Sequence, residues 1–141
     1  MNPETIFATA NLVAVSGWLL LLIAPRNRWA TIVAGTIIPI VLAATYLIVL
    51  VINWGGSRGG FSSLHDVAEL FSNPWLLLAG WVHYLAFDLF VGTWEVRDSL
   101  EHGVPRLFVV PCLLLTFMLG PVGFLAYHST RRLTAVSAAR N

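Results

Sequence analysis

Two carboxylic acids in this chain stand where water is expected to be scarce. Asp88 and Glu95 fall within one long apolar stretch, with Tyr84 four residues before Asp88 and Trp81 seven before it. Helical spacing places Trp81, Tyr84, Asp88 and Glu95 on one face, an aromatic and acidic seam. A charged carboxylate at the centre of a bilayer costs roughly 2.5–3.5 kcal/mol or more. Such a group turns toward a protein interior or a watery cavity, and kept neutral it can donate a proton. Asp88 is therefore the first candidate for acid–base chemistry. The alternative is a structural acid that ties helices together, with Arg97 or Arg106 reaching it or Glu95 from the following loop. Glu95 lies near the end of the stretch and reads as a boundary residue touching water. His83 is five residues before Asp88, about 140° away around a helix. It reads equally as a catalytic group or as a packing residue. Two metal ligands on one helix need spacings of three or four, so a shared metal would need His128, His65 or Glu69 from elsewhere. No metal and no cofactor is expected. The chain has no lysine, which excludes a Schiff base with a polyene aldehyde.

These residues must be held by elements suited to an apolar solvent. The chain has 141 residues, 57% of them hydrophobic and 11% charged, with a net charge of +1. A soluble domain is about 25% charged, so an ordinary cytosolic enzyme, a disordered chain and a nucleic-acid partner are excluded. One cysteine, Cys112, excludes a disulfide framework. The expected fold is all-α: a polytopic membrane protein of four transmembrane helices plus a short interfacial amphipathic helix. A span takes about 20 apolar residues, and the four stretches are residues 5–24, 29–54, 75–96 and 107–127. Asn2-Pro3 and Asn73-Pro74 supply an N-cap and a first-turn proline to the first and third. The second has room to kink at Pro39. Residues 61–72 carry Phe61, Leu64, Ala68 and Phe71 at helical spacing and read as the surface helix, with Ser63 and Asp66 at its start. Trp29, Trp54, Trp75 and Trp94 read as interface anchors. Gly120, Pro121 and Gly123 should bend the fourth helix and admit another backbone or a flat ligand.

Residues 1–130 then form one transmembrane domain and 131–141 a polar tail. With four spans, Arg58, Arg131, Arg132 and Arg140 share one side while Arg26, Arg28, Arg97 and Arg106 share the other, a tie in the positive-inside count. The first helix tips it toward cytoplasmic Arg26 and Arg28. The N-terminus lacks the basic segment and cleavage site of a signal peptide, and lacks a transit peptide. The expected location is the cytoplasmic membrane of a bacterium.

The second half carries a specific resemblance. Asn73-Pro74-Trp75, the run from Gly80 through Trp81, His83, Tyr84 and Asp88 to Gly92, then Arg97-Asp98, Gly103-Val104-Pro105, Val110-Pro111-Cys112 and Gly120-Pro121-Val122-Gly123 resemble the abscisic acid-deficient 4-like family. Its plant members are membrane proteins required for neoxanthin synthesis. The resemblance implies isomerisation of an epoxidised carotenoid, violaxanthin, to an allenic one, or a related lyase or hydrolase reaction on a carotenoid-like or terpenoid lipid. That chemistry needs an acid for the epoxide oxygen and a base for a proton at the polyene end. Asp88 would be the acid, with His83 or Tyr84 as base or relay. Trp81, Gly92, Gly120 and Asn11 would line the apolar substrate's groove. The alternative function is a non-catalytic carotenoid-binding or pigment-complex assembly protein. Expected partners are the lipid bilayer and the substrate, with room for a homo-oligomer or pigment-biosynthesis proteins.

Overall fold

A computed structural model describes residues 2–55 and 58–138, and every regular element among them is helical. Met1, Gly56, Ser57 and residues 139–141 lie outside the described residues, and with them part of the expected glycine-rich loop and Arg140. Helix α1 spans Pro3–Ile23. Asn2 caps it by accepting the Glu4 amide at 3.1 Å, and Pro3 gives up an N–H that a first turn cannot use. Asn27 caps α2, Arg28–Trp54, through the amides of Trp29 and Ala30. A five-residue π segment, Val33–Ile37, interrupts α2 just before Pro39. It falls where the proline would leave a carbonyl of the preceding turn without its donor.

The surface helix α3 spans Leu64–Phe71, and Ser63 caps it by accepting the Asp66 amide. Helix α4, Pro74–Glu101, follows, with Asn73 accepting the Trp75 amide at 2.9 Å. Helices α1, α2 and α4 are long and apolar enough to cross a membrane. Leu12, Ile23, Ile52 and Phe87 stand outward on them, as lipid contact requires.

Helix α4 is the axis of the molecule, and small residues let α1 and α2 close on it. A Cβ at Gly17 would meet the Leu89 side chain at 2.6 Å, and one at Gly35 would meet Thr93 at 2.3 Å. The π segment carries Gly35, so the distortion and the close approach coincide.

The expected fourth span is not one continuous helix. Helix α5, Arg106–Leu119, has 14 residues and is about 21 Å long, short of a hydrocarbon core of about 30 Å. At Gly120, with φ +44°, the chain reverses, and α6, Pro121–Ala138, runs back along α5. A Cβ at Gly123 would stand 2.1 Å from the Thr116 amide nitrogen, and Cys112 Sγ lies 3.8 Å from Thr130 Oγ1. Arg131 reaches Asp98, near the end of α4 from which α5 started. Residues 107–127 therefore form most of a helical hairpin with its tip at Gly120, and among the described residues three helices have the build of spans.

Two boundaries move with this. Helix α4 continues to Glu101 instead of stopping near 96, and α6 runs unbroken through Arg131 and Arg132, so the expected tail begins inside a helix. The arginines regroup as well. Arg106 donates to the Leu22 carbonyl at the end of α1, Arg97 to the Thr31 carbonyl near the start of α2, and Arg131 to Asp98. Arg26, Arg28, Arg97, Arg106, Arg131 and Arg132 thus gather at one end of the bundle, and Arg58 belongs to the other. Neither Arg97 nor Arg106 is bonded to Asp88 or Glu95.

Candidate functional site

The polar residues of α4 meet the hairpin one by one. Tyr84 donates its hydroxyl to the Phe117 carbonyl at 3.3 Å, near the hairpin tip. One turn on, Asp88 lies against Gly120: a Cβ there would come within 2.8 Å of Asp88 Oδ1. Positive φ and this contact both favour glycine at the tip. Asp88 Oδ2 is buried without a hydrogen-bond partner. Two turns further, Glu95 is 0% exposed, takes the Thr116 hydroxyl on Oε1 at 2.9 Å, and leaves Oε2 without a partner.

Near its end, α4 carries a bonded cluster. Asp98, 8% exposed, accepts the Tyr127 hydroxyl at 2.6 Å and pairs with Arg131 Nε at 3.1 Å, both on Oδ2. Arg131 Nη2 stands 2.6 Å from His102 Nε2. A guanidinium has only donors, so Nε2 accepts and the proton sits on Nδ1, which faces the Asp98 carbonyl at 2.9 Å. The contact selects the tautomer in which Nε2 accepts and Nδ1 donates.

The two sides of α4's N-terminal half carry apolar grooves that share Phe71 and Gly80 in their walls. One, about 590 Å³, lies between α1 and α4 and is lined by Phe7, Phe71, Leu77, Leu78, Trp81 and Tyr84 among others. It falls in the size range of small-molecule sites, about 300–1,000 Å³. Trp81 Nε1 donates to Asn11 Oδ1 at 3.1 Å across this groove's wall, so the structure brings these two expected substrate contacts together. Tyr84 belongs to both the groove and the Asp88 neighbourhood, and Asp88 itself stands one helical turn beyond the groove. The other groove, about 370 Å³, lies under α3 and is lined by His83, Tyr46, Trp54, Phe61 and Phe71. His83 stacks on Phe87 with ring centroids 4.6 Å apart and is not brought together with Asp88, as their 140° separation demands.

Gly92 offers no groove. The Trp18 ring fills the space, and a Cβ would meet it at 2.4 Å. Glu95 is not a wetted boundary residue, because α4 extends past it and the hairpin covers it. Trp94 is not a free interface anchor either: its ring packs on Phe124, Tyr127 and His128 of α6. Asp98, His102, Tyr127 and Arg131 were not anticipated as a cluster. Their signal was present as paired i, i+4 spacings, 98 with 102 and 127 with 131, which place each pair on one helical face. Among the described residues no group of three or more His, Cys, Asp or Glu is arranged to hold a metal ion.

The family model described as ABA DEFICIENT 4-like matches residues 5–127, which covers all three long helices, α5 and the start of α6. The chain belongs to that family. No curated protein and no solved structure matches it significantly. The matched segment includes both arms of the hairpin around Gly120 and every residue from Trp81 to Tyr127 named above.

Proposed function

We propose that this chain is a membrane-embedded isomerase of a carotenoid-like or terpenoid lipid, working by acid–base chemistry at Asp88. The observation that carries it is the continuity from groove to acid. Tyr84 lines an apolar groove of ligand size, and its neighbour one turn on is a carboxyl group with a buried oxygen free of partners. Family membership supports a role in the chemistry related to neoxanthin formation.

The steps balance without an oxidant or reductant. Neutral Asp88 gives its proton to the epoxide oxygen, and the carbon–oxygen bond at the polyene end breaks. The carboxylate left on Asp88, relayed through Tyr84, takes the proton from the adjacent polyene carbon. One proton enters the substrate and one leaves, so its composition is unchanged. Tyr84 is favoured over His83 as relay because His83 lies in the other groove.

Expression in hosts that make β-carotene, zeaxanthin or violaxanthin, followed by pigment analysis, tests this. A new isomer is expected, with Asp88→Asn losing about 10²–10⁴-fold of the conversion while the protein remains folded. Pigment that co-purifies unchanged would instead make the chain a binding or assembly protein. No product and no bound pigment with any of the three would remove the carotenoid class.

We further propose that the arginine-rich end faces the cytoplasm. Among the described residues six arginines stand there against one, Arg58, where four spans would have left a tie. In a Cys112→Ser background, Asn27→Cys and Thr134→Cys should react with an impermeant thiol reagent from the cytoplasmic side, and Ser62→Cys from the other. Labelling of Thr134→Cys and Ser62→Cys from one side would restore a fourth span.

A further inference from the structure

The proposed mechanism uses Asp88 and leaves a second carboxyl unexplained. Glu95 is fully buried, and its Oε2 has no partner. Natural proteins seldom bury such an atom without a reason. Replacement by a well-packed apolar residue would cost less than keeping a lone acid in place.

Its position is informative. Glu95 stands about 10 Å along the α4 axis from Asp88 and about 5 Å from Asp98, and His102 lies about 6 Å further on. All four share the face covered by the hairpin. Asp88, at the inner end, also has a buried oxygen without a partner. At the outer end, the His102 side chain is 45% exposed and Arg131 30%, so the Asp98 cluster meets water at the arginine-rich end. Glu95 is the one titratable group on this face between the inner acid and the wetted cluster. The groups that face it are Asp88 on its own helix, Thr116 and Cys112 on α5, and Tyr127 on α6.

We propose that Glu95 is a relay through which the Asp88 carboxyl exchanges its proton with water at the arginine-rich end of the molecule. Water entering between the two unpartnered oxygens carries a proton from the Glu95 carboxyl to the Asp88 carboxylate, and Glu95 recovers one from water that enters past Tyr127 and Asp98. The isomerisation returns a proton to Asp88 in every turnover, so the relay sets the neutral resting state of Asp88 before the reaction rather than feeding each turnover. Glu95 does not line the groove and does not touch the substrate. This inference rests on Asp88 acting as a neutral acid, but its test does not require activity.

The full chain in lipid nanodiscs would be studied by infrared spectroscopy. The carbonyl stretch of protonated Asp88 is assigned by its loss in Asp88→Asn, and its shift is timed after transfer into D₂O. The shift is expected to slow by about tenfold or more in Glu95→Gln, because an amide cannot take up and pass on a proton as an intramembrane carboxyl can. An equal rate in the native chain and Glu95→Gln overturns the relay and leaves the isomerase proposal standing. Absence of a protonated Asp88 band in the native chain overturns the neutral acid, and the relay with it. Should Glu95→Gln not fold, Glu95→Asp keeps the acid one methylene short. An intermediate slowing then supports the relay, and an unchanged rate rejects it.

Discussion

The two sides of α4 are built on opposite rules. Against α1 and α2 the contact is mostly dry, with the Trp81–Asn11 and Arg97–Thr31 bonds at its two ends. Gly17 receives Leu89, Gly35 receives Thr93, and Gly92 receives the Trp18 ring. Against the hairpin the contact is polar, and Tyr84, Glu95, Asp98 and His102 each find a group of α5 or α6. In lipid, apolar burial gives helices little reason to associate, so close packing and hydrogen bonds must hold them. The dry side uses the first means and the hairpin side the second. A helical hairpin in apolar surroundings leaves backbone groups unpaired at its tip, and it is tolerated where protein covers them. The Tyr84 hydroxyl on the Phe117 carbonyl is such a cover. The same partial burial leaves room there for an acid that is not fully paired.

The comparison breaks most sharply at the hairpin's own closure. In Gly123→Val, the added atoms would stand 2.1 Å from backbone and side-chain atoms of Thr116, and backbone cannot swing aside. A loss of about 3 kcal/mol or more is expected, seen as failure to give a monodisperse folded protein in detergent. Gly92→Ala makes its clash with a side chain, Trp18, and should cost less, about 1–3 kcal/mol. If the two variants were equally mild in thermal unfolding, the hairpin would not be the tight turn described.

The next effect should come from the polar cluster. Arg131→Ala removes the cation that pairs with buried Asp98 and the donor to His102 Nε2, leaving the Tyr127 hydroxyl on the carboxylate. Breaking a buried pair costs about 3–5 kcal/mol, and the partial exposure of Arg131 reduces this to about 2 kcal/mol. The variant should unfold earlier, and Asp98→Asn combined with it should recover part of the loss, because no unpaired charge then remains. A double variant no more stable than Arg131→Ala would mean that Asp98 does not depend on Arg131.

What the sequence disclosed follows from range. Helix starts were legible because a cap is a local device: Asn2, Asn73 and Ser63 each bond an amide two or three residues on. The seam of Tyr84, Asp88 and Glu95 was legible because one helix carries it. The hairpin was not. Residues 107–127 are apolar for a span's length, and Gly120-Pro121 signals a bend as readily as a reversal. What decides between them is Arg131 meeting Asp98 and Gly123 meeting Thr116. The first contact joins residues 33 positions apart, and the second depends on the turn already being closed. The same long-range contact hid the role of Glu95. With α4 ended near 96 it looked wetted, whereas the hairpin lets α4 keep Asp98 and Ser99 buried and run on to Glu101.

The smallest expected effect sharpens the comparison from the groove side. Asn11 is the polar group that α1 offers to α4 on its otherwise dry face, through the 3.1 Å bond from Trp81 Nε1. Its amide also donates back to the Phe7 carbonyl of its own helix, so the side chain is already oriented before Trp81 meets it. Trp81 is 40% exposed at the groove wall, and the bond sets the angle of its indole beside Phe7 and Tyr84. Asn11→Ala should therefore cost only about 0.5–1 kcal/mol, the net worth of one hydrogen bond. Its larger mark should fall on the substrate. With the indole free to rotate, the groove loses a fixed wall, and on the isomerase proposal the apparent affinity for the polyene should drop while the rate at saturation stays near native. A fall in the saturated rate with affinity unchanged would place Asn11 and Trp81 with the acid rather than with the groove.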